Sequence, residues 1–135
     1  MPIIITPIYA GLLALIYVGL SIWVIALRRK LWISIGDKGS EHLLRRQRVH
    51  GNFAEYVPLC LVLMICAELI LAPNWTIHGL GLMLIFGRCC HAYGVGQEPE
   101  SLTLRTIGML LTFATLIAGG LLNIFWSMHM WDFAG

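Results

Sequence analysis

Between Arg48 and Pro58 the chain reads RVHGNFAEYVP, which gathers a guanidinium, an imidazole, an amide and a carboxylate at the head of an apolar stretch. If the stretch is helical, Arg48, Asn52 and Glu55, with Arg45 beside them, fall within about 80° of arc and share one face. Such a set can hold a carboxylate or a phosphate through charge-assisted hydrogen bonds, and the arginine fork matches either group at two points. Further along, Arg88 is followed one turn later by His91, and Arg105 stands at the head of another apolar run. Ionisable groups among apolar spans are costly, so they face a bundle interior, where they pair or line a cavity. Glu55 is therefore expected to meet an arginine from another helix, Arg88 or Arg105.

Plainer uses of the same residues exist. A buried salt-bridge network that only sets helix register would need the same seam from Arg48 to Glu55. His50, His91 and Glu55 carry donor atoms suited to a metal, but no His-x-x-x-His or Glu-x-x-His pair occurs. The arginines would repel a cation, so no metal is expected. Pro58 cannot donate to the carbonyl of Ala54, which predicts a bend beside Glu55 that helps to open a pocket. Cys60, Cys66, Cys89 and Cys90 lack Cys-x-x-Cys spacing and read as small buried hydrophobes.

The elements that must position these groups are membrane helices. Of the 135 residues 59% are hydrophobic and 12% charged, against roughly 45–50% apolar and about 25% charged in soluble domains. Residues 3–27 contain no charge and exceed the ~20 residues that cross a hydrocarbon core as a helix. The basic cluster follows this run instead of preceding it, so it reads as a retained first helix and not as a secretory signal. The pattern predicts a single domain over 1–135, an all-α, integral membrane four-helix bundle with helices at about 7–29, 41–72, 75–93 and 102–130. Thr6 and Pro7, Ser40, and Asn74 are the expected N-terminal caps of the first three.

All nine Lys and Arg residues lie in or beside the first and third connections. The positive-inside rule makes those connections cytoplasmic and puts both termini on the opposite side. Glu68, His78, His129 and Asp132 then sit near the far interface, within reach of water. The net charge of +2 is too small to suggest a nucleic-acid partner.

Taken together, Arg48, His50, Asn52, Glu55, Tyr56 and Pro58, then Arg88 and His91, then Arg105 resemble the MAPEG family, the membrane-associated proteins in eicosanoid and glutathione metabolism. Gly51 before Asn52, the run His91-Ala92-Tyr93-Gly94, and Arg105-Thr106-Ile107-Gly108 look like the small bacterial members. The resemblance spans nearly the whole chain. It implies a homotrimer in a bacterial inner membrane, with glutathione bound at each subunit interface. Arg48, His50, Asn52, Glu55, Tyr56, Arg88 and His91 would hold glutathione, and Arg28 or Arg29 would complete the grip. Arg105 would activate the thiol, with the Thr106 hydroxyl as a second donor. Many members carry a tyrosine seven residues after the helix 3 arginine, where this chain has Val95.

The implied activity is a glutathione-dependent transferase or peroxidase acting on lipophilic electrophiles or hydroperoxides that arrive through membrane lipid. A free thiol with a pKa of about 8.5 is only slightly ionised at neutral pH, and the thiolate is the nucleophile. A fixed guanidinium favours the thiolate. The alternative is a non-catalytic membrane protein that binds glutathione or an anionic lipid headgroup in the same basic pocket. A small transporter or channel subunit fits less well, since no broken-helix pair or repeated hydropathy unit occurs.

Overall fold

The computed structural model describes residues 3–134, with the side chains of 132–134 excepted, so the expected position of Asp132 at the interface lies outside what is described. The chain forms four helices: α1 (Ile5–Leu31), α2 (Glu41–Leu69), α3 (Asn74–Gly96) and α4 (Leu102–Ala134). Three of them, α1, α2 and α4, are long and apolar enough to cross a membrane. The third helix carries Arg88, His78 and His91, which lower its apolar content. Its role as a span follows from topology. Arg45 near the start of α2 and Arg105 near the start of α4 share Glu100, while Asn123 late in α4 bonds the carbonyl of Leu63 late in α2. The two helices are thus parallel, and α3 must return the chain across the same thickness.

The helix ends follow local chemistry, with differences from the expected caps. Ser40 does cap α2, its Oγ accepting from the amide of Leu43 at 3.3 Å. Thr6 does not cap α1. The Glu68 carboxylate reaches across from α2 and accepts from the amides of Ile4, Ile5 and Thr6 at 2.5, 2.6 and 2.8 Å. An anion at a helix N-terminus satisfies orphan donors and opposes the dipole, so Glu68 is a clamp between two helices and not a group simply left at the interface. Asn74 is the first residue of α3 and gives no side-chain cap.

The second helix ends at Leu69, three residues earlier than the sequence suggests. Leu71 adopts a left-handed conformation (φ 60°), and the amide of Ala72 returns to the carbonyl of Ala67 at 3.0 Å. That closure uses the end carbonyls before Pro73 is reached. The third helix runs on to Gly96 because the start of α4 lies directly against Gly94, where a Cβ would come within 2.6 Å of the Arg105 amide nitrogen.

The core joins all four helices, with Leu13, Phe53, Val57, Cys60, Met64, Ile77, Leu80 and Leu84 buried. Of the cysteines only Cys60 is fully buried. Cys66 and Cys89 lie on the outer surface and Cys90 is half-buried, so the expectation of four core thiols holds for one. Large apolar side chains such as Leu15, Ile22, Phe86 and Ile117 are exposed, as they must be on a bundle solvated by lipid.

Candidate functional site

At the basic end of the bundle Arg45, Arg48 and Asn52 of α2, His91 and Val95 of α3, Glu100 of the following loop, and Arg105 of α4 line one cavity of about 330 Å³. Helical spacing puts the α2 residues in line. Close contact of two backbones brings the others level with them. A Cβ on Gly108 would sit 2.5 Å from the His91 amide nitrogen and 2.6 Å from the Gly87 carbonyl oxygen. Only glycine permits that approach, which sets His91 and Arg105 beside each other at the cavity wall.

Behind this wall Arg88 is almost completely buried, at 1% exposure. Its Nη1 donates to Asn52 Oδ1 and its Nη2 to Thr112 Oγ1, both at 2.6 Å, and its guanidinium lies 5.7 Å from the centre of the Tyr56 ring. No carboxylate reaches it among the described residues, and its Nε is buried with no hydrogen-bond partner. Because a guanidinium only donates, its bond to Oδ1 fixes the Asn52 amide and leaves the NH₂ group of that amide available to the cavity. The buried charge thus orients a donor and adds positive potential, weakly screened, to the space in front of it.

The mouth of the cavity carries an ion-pair ladder. Arg105 Nη1 donates to Glu100 Oε1 at 2.7 Å, and Arg45 Nη1 to Glu100 Oε2 at 3.2 Å. Glu98 lies 2.6 Å from His42 and 3.7 Å from the Arg45 Nε. The Arg105 hydrogen bond, with Arg45 beyond it, holds the Glu100 carboxyl below its ordinary range. Arg48 lines the same cavity, exposed and without an ion pair or hydrogen bond among the described residues.

Other residues singled out in the sequence lie elsewhere. Glu55 meets no arginine: Arg88 is taken by Asn52 and Thr112, Arg105 by Glu100, and Glu55 is exposed one turn beyond the cavity lining. His50 points to the α1 side, where its Nε2 is 3.0 Å from Ser21 Oγ and its ring stacks on Tyr17 at 4.5 Å. Tyr56 is half-buried against Arg88 and Phe113. Arg28 turns back on its own helix end and donates to the carbonyls of Ile33, Ser34 and Gly36. Arg29 and Thr106 are exposed and outside the cavity. Pro58 lines a separate apolar groove of about 250 Å³ between α1 and α2, with Ala10, Leu13 and Val57, so any opening it provides is on that side.

Sequence reasoning missed Glu100, Thr112 and the use made of Arg45. Each had a signal. Glu100 is an acid five residues before Arg105, and Thr112 is a polar residue two turns after Arg105 on an apolar helix.

This arrangement, four helices with their arginines gathered at one end, lies within a segment that matches a known family. The model of the MAPEG family fits residues 6–125. The chain belongs to the MAPEG family. Among relatives, this MAPEG chain is 34% identical over 122 residues to the inner membrane protein YecN of Escherichia coli K12, covering 90% of this chain and 92% of YecN. The YecN protein of a second strain, O6:H1, matches to the same extent. As a MAPEG member the protein is an integral membrane protein of a family that includes glutathione transferases and peroxidases, while the name of its relative specifies no activity.

Proposed function

We propose that the protein is a glutathione-dependent transferase or peroxidase acting on lipophilic electrophiles or hydroperoxides. The observation that carries this reading is the cavity in which Arg45, Arg48 and Arg105 meet the Asn52 amide and His91, with the buried Arg88 charge behind them. The donor set suits glutathione, which presents two carboxylates and several amide oxygens. The volume is at the small end of ligand pockets, which span roughly 300–1,000 Å³.

In this reading Arg48 and Arg45 receive carboxylate oxygens, and Asn52, held by Arg88, donates from its NH₂ group. Glutathione supplies a thiol whose ionised form is the nucleophile. Arg105, on the rigid start of α4, would favour that form; stabilising it by ~2 pKa units requires about 2.7 kcal/mol of preferential interaction. Thr106 lies next in sequence and offers a second donor from an exposed position.

Exposed Arg48 and Glu55, without partners among the described residues, support assembly through this face, since unpaired charge along an apolar span is costly. We place it in a homotrimer in which Arg29, exposed and without a side-chain partner among the described residues, reaches a neighbour's cavity while Arg28 is held by its own loop. A bacterial inner membrane location, with the basic loops cytoplasmic and both termini outside, fits the charge distribution and the YecN likeness.

The test is Arg105→Ala in detergent-purified protein. Turnover of a generic electrophile should fall about 100-fold, the scale of losing one preorganised charge donor, with assembly and melting temperature unchanged. Unaltered turnover refutes the role of Arg105. The exposure of Arg105 and the apolar Val95 wall favour a second reading, non-catalytic binding of glutathione or of an anionic lipid headgroup. Glutathione thiolate absorbance in the ultraviolet, without turnover of any added electrophile, would support it.

A further inference from the structure

Two acidic residues line the cavity, Glu41 and Glu100, and of the two only Glu100 forms ion pairs with the cavity arginines among the described residues. Its two oxygens are divided between two helices, Oε1 on Arg105 at 2.7 Å and Oε2 on Arg45 at 3.2 Å. This is how a ligand carboxylate would bridge the same guanidinium groups. Arg48, one turn from Arg45 on the same helix and lining the same cavity, has no such partner among the described residues. Arg88, buried behind the cavity wall, also meets no carboxylate among the described residues.

Arg48 is therefore the open cationic position of the cavity, with Arg88 behind the wall bonded to Asn52 and Thr112, while the Arg45–Arg105 pair is already filled by the chain itself. Glu100 belongs to the loop between α3 and α4, and its side chain is 19% exposed. A rotamer change can carry it off the arginines into water without disturbing either helix. Glu98 cannot replace it, since its contacts are His42 and the Arg45 Nε and none reaches Arg105.

We infer that Glu100 is a built-in carboxylate that occupies the anion position between Arg45 and Arg105, and that a carboxylate-bearing ligand enters by displacing it. The inference rests on the proposed reading for the identity of that ligand and goes beyond it in two ways. It assigns the Arg45 side of the vacated position to the ligand carboxylate and leaves Arg105 to the thiol, and it makes the Glu100 contact a determinant of affinity that selects ligands able to compete with an attached acid. Neutral and weakly acidic molecules leave the latch closed. The same displacement frees Arg105.

The test compares glutathione binding, by calorimetry in detergent, to the wild-type protein, Glu100→Gln and Glu98→Gln. The glutamine at 100 keeps the shape but loses the competing charge, so binding should tighten at least fivefold. The neighbouring variant removes an equal charge without touching Arg105 and should stay within twofold of wild type. Equal tightening in both would reduce the effect to general charge, and equal or weaker binding in Glu100→Gln would show that Glu100 does not compete; either overturns the inference and leaves the glutathione reading standing.

A second probe needs no glutathione. Phenylglyoxal, which modifies free guanidinium groups, should label Arg105 several-fold faster in Glu100→Gln than in wild type, as read by peptide mass mapping. Faster labelling with no glutathione binding in any variant would uphold the latch and sink the glutathione reading. Equal labelling rates would sink the latch.

Discussion

The second helix serves two neighbourhoods that treat polar groups in opposite ways. On the α1 side His50 and Arg46 find partners within the chain: His50 meets Ser21 and stacks on Tyr17, and Arg46 donates to the Trp23 carbonyl at 2.6 Å while lying 4.6 Å from the centre of its ring. On the α3–α4 side Arg48 and Glu55 find none among the described residues, and Arg88 is buried with amide and hydroxyl partners but no counter-charge. A closed polar set rigidifies a fold, whereas one left with surplus charge has capacity for a ligand or a second subunit. The difference separates scaffold from site on a single helix.

The largest expected effect comes from removing the buried charge. Arg88→Met should strand the Asn52 carbonyl and the Thr112 hydroxyl and lower stability by about 3 kcal/mol, in the range for breaking buried polar contacts. Thermal unfolding in detergent measures it. A melting temperature equal to wild type would mean that the site is not organised around that guanidinium.

Glu55→Ala addresses the unsatisfied side directly. If this face meets a neighbouring subunit, association should weaken at least tenfold, about 1.4 kcal/mol, in analytical ultracentrifugation in detergent. Unchanged association would remove Glu55 from any subunit contact and blur the contrast between the two faces.

A smaller effect is expected on the closed side. Combining Ser21→Ala with His50→Phe should cost about 1 kcal/mol of stability for the lost hydrogen bond, with KM for glutathione within about twofold of wild type. A large rise in KM would show that a neighbour's cavity uses His50 across an interface, and the scaffold side would then be part of the site.

The smallest concerns the ladder at the mouth. The Glu100 carboxyl is held below its ordinary range, chiefly by Arg105. Its contribution to stability is present above the unfolded carboxylate pKa of about 4.3 and is lost as pH falls through the lowered value. Melting temperature should decline slightly below about pH 5 and do so less in Glu100→Gln; exposure and solvent screening keep the difference small. Parallel curves would mean that the ladder adds nothing to folding.

The four helices were legible because chains of this composition signal spans by length and charge, and the three connections by glycine, proline and basic residues. The face of α2 that carries Arg48 and Asn52 was legible for the same reason, since periodicity fixes which residues of one helix lie together. Partners across helices were not. Glu55 and Arg88 look like a pair by charge, yet a slightly different rotation and depth gives Arg88 to Asn52 and Thr112 and leaves Glu55 outside.

What the residues alone determined is therefore everything that depends on one helix at a time: the apolar spans, the sorting of nine basic residues into two connections, and the shared face of Arg48 and Asn52. What the tertiary structure decided is the relative height and rotation of those helices. These are set by where backbones can touch, at Gly87, Gly94 and Gly108, and by an N-terminus held by Glu68 from another helix. Sub-ångström fit between neighbours selects among many registers of nearly equal local energy, so no single-helix pattern could reveal which arginine each oxygen would meet.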